Sequence, residues 1–154
     1  MHELQSVFED AEGCQDTLLC HGIAQHHGAD RDRAGERMSE RVRGLIDRGR
    51  AIAEPNYEAA RAQALEYRAM LTQLLAGDTI ILAAATDGVA PPRGDGSATG
   101  SPALQGLWTL AGLPALALPC GLYDGLPVGV QLVAAPGRED LLLAAAALVQ
   151  ETVR

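Results

Sequence analysis

The chain has 154 residues and a formal net charge of -8, a length that suits one domain or one part of a larger one. Apolar residues make up 47 % and aromatic residues 3 %, so a core here is built from Ala, Leu and Val. The acidic balance disfavours nucleic acid and anionic membrane surfaces as partners, and all 12 basic residues are Arg, with no Lys anywhere.

Residues 1 to about 76 are polar, charged and free of strand patterns; residues 77–154 are apolar and rich in Gly and Pro. In the first part, His2 to about His27 has Leu4, Val7, Phe8, Ala11, Leu18 and Leu19 near helical spacing, with Gly13 as a weak point. "HHGADRDRAG" reads as a connection. "ERMSERVRGLIDRG" predicts a second helix with Met38, Val42, Leu45 and Ile46 on one face and Gly49 as its stop. Pro55 suits the first turn of a third helix. Its stripe is Tyr57, Ala60, Ala64, Tyr67, Leu71 and Leu74, and Gly77 ends it. Arg61 and Arg68 lie among glutamates, as on a solvated face.

The second part changes character at "TIILAAA" (Thr79 to Ala85), a continuous apolar run of the kind expected for a strand buried on both faces. "TDGVAPPRGDGSATGSP" is a long loop, and "ALQGLWTLAG" a short helix closed by Gly112. "ALALP" is a strand, Asp124-Gly125 a hairpin turn, and "VGVQLVA" an antiparallel return strand. "REDLLLAAAALVQETV" closes the chain as a helix with acidic residues in its first turn. The pattern is α/β with a mixed sheet. Three strands are few for so apolar a set, so the chain reads as one side of a larger sheet whose edges need cover.

The residues from Thr99-Gly100 through Trp108, Gly112-Leu113-Pro114-Ala115, Leu118-Pro119-Cys120-Gly121 and Leu126-Pro127-Val128-Gly129-Val130-Gln131-Leu132, with a helix start at Asp140, closely resemble the C-terminal region of the amidase signature family. The helical part resembles, more loosely, the stretch that precedes that region. The loop and its Leu-Trp-Thr segment are similar to branches acting on small amides, such as malonamidase-like enzymes. The resemblance implies the C-terminal part of an α/β/α sandwich with a mixed sheet, residues 1–76 being a helical segment and 77–154 the strand and helix part of one partial domain. One position departs: the family usually has a Pro-Thr pair after the strand matching "TIILAAA", and Ala85-Thr86 stands here.

The family's reaction, by this resemblance, is amide hydrolysis through acyl transfer. One Ser attacks the carbonyl carbon, a second Ser relays the proton, and a neutral Lys is the base. A hydroxyl is a poor nucleophile until a positioned base takes its proton, and the oxyanion needs preorganised donors. This chain has no Lys, and its four serines (Ser6, Ser39, Ser97 and Ser101) stand in no Gly/Ser-rich signature segment. No catalytic residue is therefore assigned, and the isolated chain is expected to be inactive. The resemblance places Thr99, Gly100 and Trp108 near the substrate pocket of a full-length enzyme; for Trp108, core packing is the competing role. It implies no cofactor.

Other chemistry finds less support in these residues. Cys120 sits between Pro119 and Gly121, and all four His residues lie in the first helical segment, so a buried strand-end thiol is the plainer reading than a nucleophile. Cys14, Cys20, His21, His26 and His27 have no second cluster to complete a metal site, so a solvated or partly packed helix is expected instead. "RGDGSATG" lacks dinucleotide-binding spacing and reads as a flexible loop, not an adhesion motif.

Three cysteines without a disulfide spacing, and an opening "MHELQSVFEDAEG" unlike a signal peptide, point to a reducing cytoplasm. "LLLAAAALV" is too short to cross a bilayer. The expected partners are a small amide substrate in the full-length enzyme and either a separate N-terminal half or further copies of this chain, with no nucleic acid and no membrane. Two alternatives stand beside the stand-alone amidase. One is a fragment of the A component of a glutamyl-tRNA amidotransferase; the other is a non-catalytic module that complements a separate N-terminal half.

Overall fold

The structure is a computed structural model that describes residues 2–90 and 103–152, with side chains described over 11–90 and 104–152. It divides into two compact units, Met1–Glu66 and Tyr67–Arg154.

The first unit is helical: α1 (His2–Ala34), a 3-10 turn (Gly35–Arg37), α2 (Glu40–Arg50) and the first part of α3 (Glu54–Leu74). The helix α1 does not end at His27. It runs through "HHGADRDRA", where the sequence predicts a connection. The reason lies on α2. Arg50 Nη2 donates to the Gly28 carbonyl at 2.9 Å and to Asp32 at 2.7 Å, and Arg31 pairs with Asp47 at 3.5 Å. A charged run that looks like a loop is thus held helical by complementary charge on its neighbour. Ser39 begins α2 as its N-cap, its Oγ accepting from the Val42 N–H at 3.3 Å. Gly49 does not stop α2; it lies inside the helix and is buried. A Cβ there would overlap the Cys20 carbonyl and lie 2.7 Å from Ala24 Cβ, so α1 and α2 cross where only glycine fits.

The second unit holds the end of α3, β1 (Ile81–Ala84), α4 (Ala103–Ala111), β2 (Ala115–Tyr123), β3 (Leu126–Val133) and α5 (Glu139–Thr152). The buried stripe of α3 continues through Leu71 to Leu75, four residues on, while Leu74 is half exposed. The strand order is β1-β3-β2, and both pairings are antiparallel. The parallel pairing that a mixed sheet needs is not found among the described residues. Asp124 and Gly125 both take positive φ (50° and 77°) between the paired Tyr123 and Leu126, a two-residue turn whose twist matches the strands it joins. The strand β2 runs past Pro119, farther than "ALALP"; as an edge strand it tolerates a missing N–H. Cys120 is the extra residue of a bulge between Pro119 and Gly121, and Gly121 has φ 140°.

One face of the sheet packs Leu118, Leu132 and Ala134 against Leu142 and Ala146 of α5. Gln131, whose side chain points the other way, reaches α4. In place of a strand buried on both faces, β1 alternates half-buried and exposed residues, and Leu82 is 62 % exposed. It is the edge of this sheet, with no fourth strand beside it among the described residues.

Candidate functional site

Trp108 is the one described member of the three pocket residues implied by the sequence; Thr99 and Gly100 lie outside the described residues. It sits in α4, where Leu107, Trp108 and Ala111 are all buried. Both ends of this helix are tied down. At its C-terminal end Gly112 takes φ 63°, and the Arg68 guanidinium donates to the carbonyls of Ala111 and Gly112 at 3.1 and 3.3 Å. A cation is favourable there, at the negative end of the helix dipole. Near its N-terminal end Gln131 Nε2 donates to the Leu104 carbonyl at 2.9 Å. A cleft of about 250 Å³ opens between α4 and the strands, lined by Gln105, Trp108, Thr109, Leu113 and Gln131 among others. Trp108 is 3 % exposed and borders this cleft, so packing and pocket lining are not exclusive for it.

A larger cleft of about 470 Å³ lies where β1 ends, between residues 85–90, the 117–119 stretch of β2 and the 127–129 stretch of β3. Here, where the resemblance read from the sequence implies a proline, stands Ala85. Its N–H donates to the Gly129 carbonyl at 3.0 Å, a bond that proline would lack. The strand pairing is thereby carried one residue further before the chain turns at Thr86, whose hydroxyl donates to the Gly88 carbonyl at 2.6 Å. Gly129 itself is required, since a Cβ there would lie 2.9 Å from the Leu118 carbonyl oxygen.

Among the described residues no base or cation activates a cysteine for catalysis. Burial, the larger effect, pushes the Cys14 thiol up, and it donates to the Ala60 carbonyl at 3.1 Å. Burial and then the Asp16 carboxylate push the Cys20 thiol up, against the opposing pull of Arg48. Cys120 borders an apolar cleft of about 350 Å³ with Leu82, Val130, Leu148, Val149 and Thr152, a lining with no base and no cation. On α1, Cys14, Cys20 and His21 are buried, and His21 stacks on Tyr57 with ring centroids 3.7 Å apart. The helix is therefore partly packed, as the sequence allows, with His26 and His27 exposed. Among the described residues no three His, Cys, Asp or Glu converge on a metal position.

The sequence profile of the amidase family, described as "Amidase", matches residues 5–143. The chain belongs to the amidase family. A solved structure titled as an amidase superposes on 96 % of this chain with a TM-score of 0.87 and 27 % identity. Among curated proteins, the 6-aminohexanoate-cyclic-dimer hydrolase of Pseudomonas sp. (strain NK87) is 54 % identical over 44 residues, which are 28 % of this chain and 9 % of that protein. The A component of the glutamyl-tRNA(Gln) amidotransferase of Moorella thermoacetica is 62 % identical over 37 residues, 24 % of this chain and 8 % of that protein. The superposition covers 36 % of the amidase structure's chain. The described sheet therefore matches the amidase fold, and the chain spans well under two thirds of its relatives.

Sequence reasoning named Gln131 only as part of the family resemblance and gave it no role. It is 3 % exposed, a polar side chain in a central strand. A lone Gln in an otherwise apolar run was the available signal, because burial of an amide demands partners.

Proposed function

We propose that this chain supplies framework and pocket wall for the hydrolysis of a small carboxylic amide, while the nucleophile and base come from residues outside it. The observation that carries this is the amidase membership of a sequence without a single Lys. On this reading Trp108, Thr99 and Gly100 line the substrate pocket, and no residue of this chain attacks the substrate. The test is hydrolysis of a panel of alkyl and aryl primary amides by the purified chain. No turnover is expected; turnover abolished by Cys120→Ala would overturn the proposal.

The similarity to the A component of the amidotransferase favours a second reading, in which the same framework serves amide transfer within a multi-component enzyme. Co-purification with the other amidotransferase components would favour it over the stand-alone amidase. The exposed Leu82, Leu122, Tyr123 and Leu148 favour a third, a module completed by a separate N-terminal half. Co-purification with a protein carrying a Lys and a Gly/Ser-rich segment would support it, and a well-folded monomer would count against it. We assign the chain to a reducing cytoplasm on its three free thiols, and no nucleic-acid partner on its net charge of -8. No described helix is long and apolar enough to cross a membrane.

A further inference from the structure

Two carboxamides meet where β1 ends and α4 begins. Gln131 Nε2 donates one bond to the Ala84 carbonyl and one to the Leu104 carbonyl, each at 2.9 Å. A carboxamide nitrogen has two hydrogens, so both donors of Gln131 are used. Beside it Gln105 Nε2 donates to the Ala85 carbonyl. Three carbonyls, from the last residue of β1, the residue after it and the first turn of α4, are thus bound by two side chains. These residues are adjacent in space and about twenty positions apart in sequence.

We propose that Gln131 and Gln105 form an amide clamp that fixes the exit of β1 against the first turn of α4, making Gln131 a positioning residue for the cleft beside Trp108. The geometry leaves little else to do this. The Ala85 N–H holds the strand exit to β3 through Gly129, but it does not reach α4. Arg68 holds only the far end of α4. An apolar side chain at 131 would fill the same space but remove the donor that links the two carbonyls, the Leu104 carbonyl keeping only its helical partner, and a carboxylate would put negative charge against them. The Gln131 side chain therefore sets where the wall of one cleft, bordered by Gln105 and Trp108, stands relative to the wall of the other, bordered by Ala85 and Thr86. The role of this wall in amide chemistry rests on the function proposed above; the clamp itself does not.

The test uses the purified chain and needs no substrate. Trp108 is the sole tryptophan, so its emission and its quenching by acrylamide report on α4. Hydrogen exchange followed by mass spectrometry reports on residues 85–90 and 104–109. In Gln131→Met, of similar length and without donors, exchange in those two segments rises by roughly 10-fold or more. Trp108 becomes more quenchable, and α5 and the hairpin between β2 and β3 stay unchanged. Gln131→Glu gives the same pattern more strongly. Equal acceleration over the whole second unit would overturn the proposal, since it would mean loss of packing rather than loss of position. No change at 85–90 would overturn it as well. If Gln131→Met does not fold, Gln105→Met at the less buried position decides. Faster exchange confined to the same two segments supports the clamp, and unchanged exchange there refutes it.

Discussion

Cys14 and Cys20 show how burial decides chemistry. Both are buried on the packed face of α1, and both thiols are pushed up from an ordinary value of 9.0. A raised pKa favours the protonated form, so the stability tied to these groups is fully present below that value and is lost as pH rises through the higher folded values. The folded chain is expected to react with one equivalent of a thiol reagent at Cys120, and with three after denaturation. Three fast thiols in the folded state would contradict the burial of α1. Asp32 carries the opposite sign. Hydrogen bonding to Arg50 holds its carboxyl below the usual range, so its contribution is present above pH about 4 and fades as pH falls through the depressed value. Asp32→Asn is expected to flatten that part of the acid unfolding curve.

At the scale of elements, close approach and capping carry the measurable energy. Gly49→Ala puts a methyl into the Cys20 backbone and is expected to cost at least about 2 kcal/mol in chemical denaturation. Ser39→Ala removes the cap of α2 and is expected to cost about 1 kcal/mol. The helices α3, α4 and α5 and the Asp124-Gly125 hairpin were legible in the sequence because each has local punctuation: a proline, an acidic first turn, a glycine of positive φ. The apolar spacing also showed α2 but misplaced its ends: it starts after the Ser39 cap, which leaves Met38 outside it, and runs past Gly49. The continuation of α1 to Ala34 was not legible. Its support comes from Asp47 and Arg50 on another helix, which a window of sequence does not contain. The same limit hid the packing role of His21 and the reach of Gln131, both fixed by partners more than twenty residues away. Of the pocket residues implied by resemblance, only Trp108 falls within the described residues, bordering a cleft with Gln131.

For the whole molecule, the apolar run "TIILAAA" predicts a strand buried on both faces, yet it stands as an edge with Leu82 exposed. Sequence reports what a strand is built to lie between; it does not supply the layers. Edge exposure, with no further strand beside β1 among the described residues, fits a larger amidase sheet. On the function proposed above, framework falls to this chain, and attack on the amide to residues outside it. The most direct measurement is active-site labelling. The folded chain is incubated with a fluorophosphonate that phosphonylates activated serines, and its intact mass is recorded. The predicted result is an unmodified mass. Stoichiometric labelling at Ser6, Ser39, Ser97 or Ser101, absent when the chain is denatured beforehand, would show an activated nucleophile within the chain and contradict the assignment of framework alone.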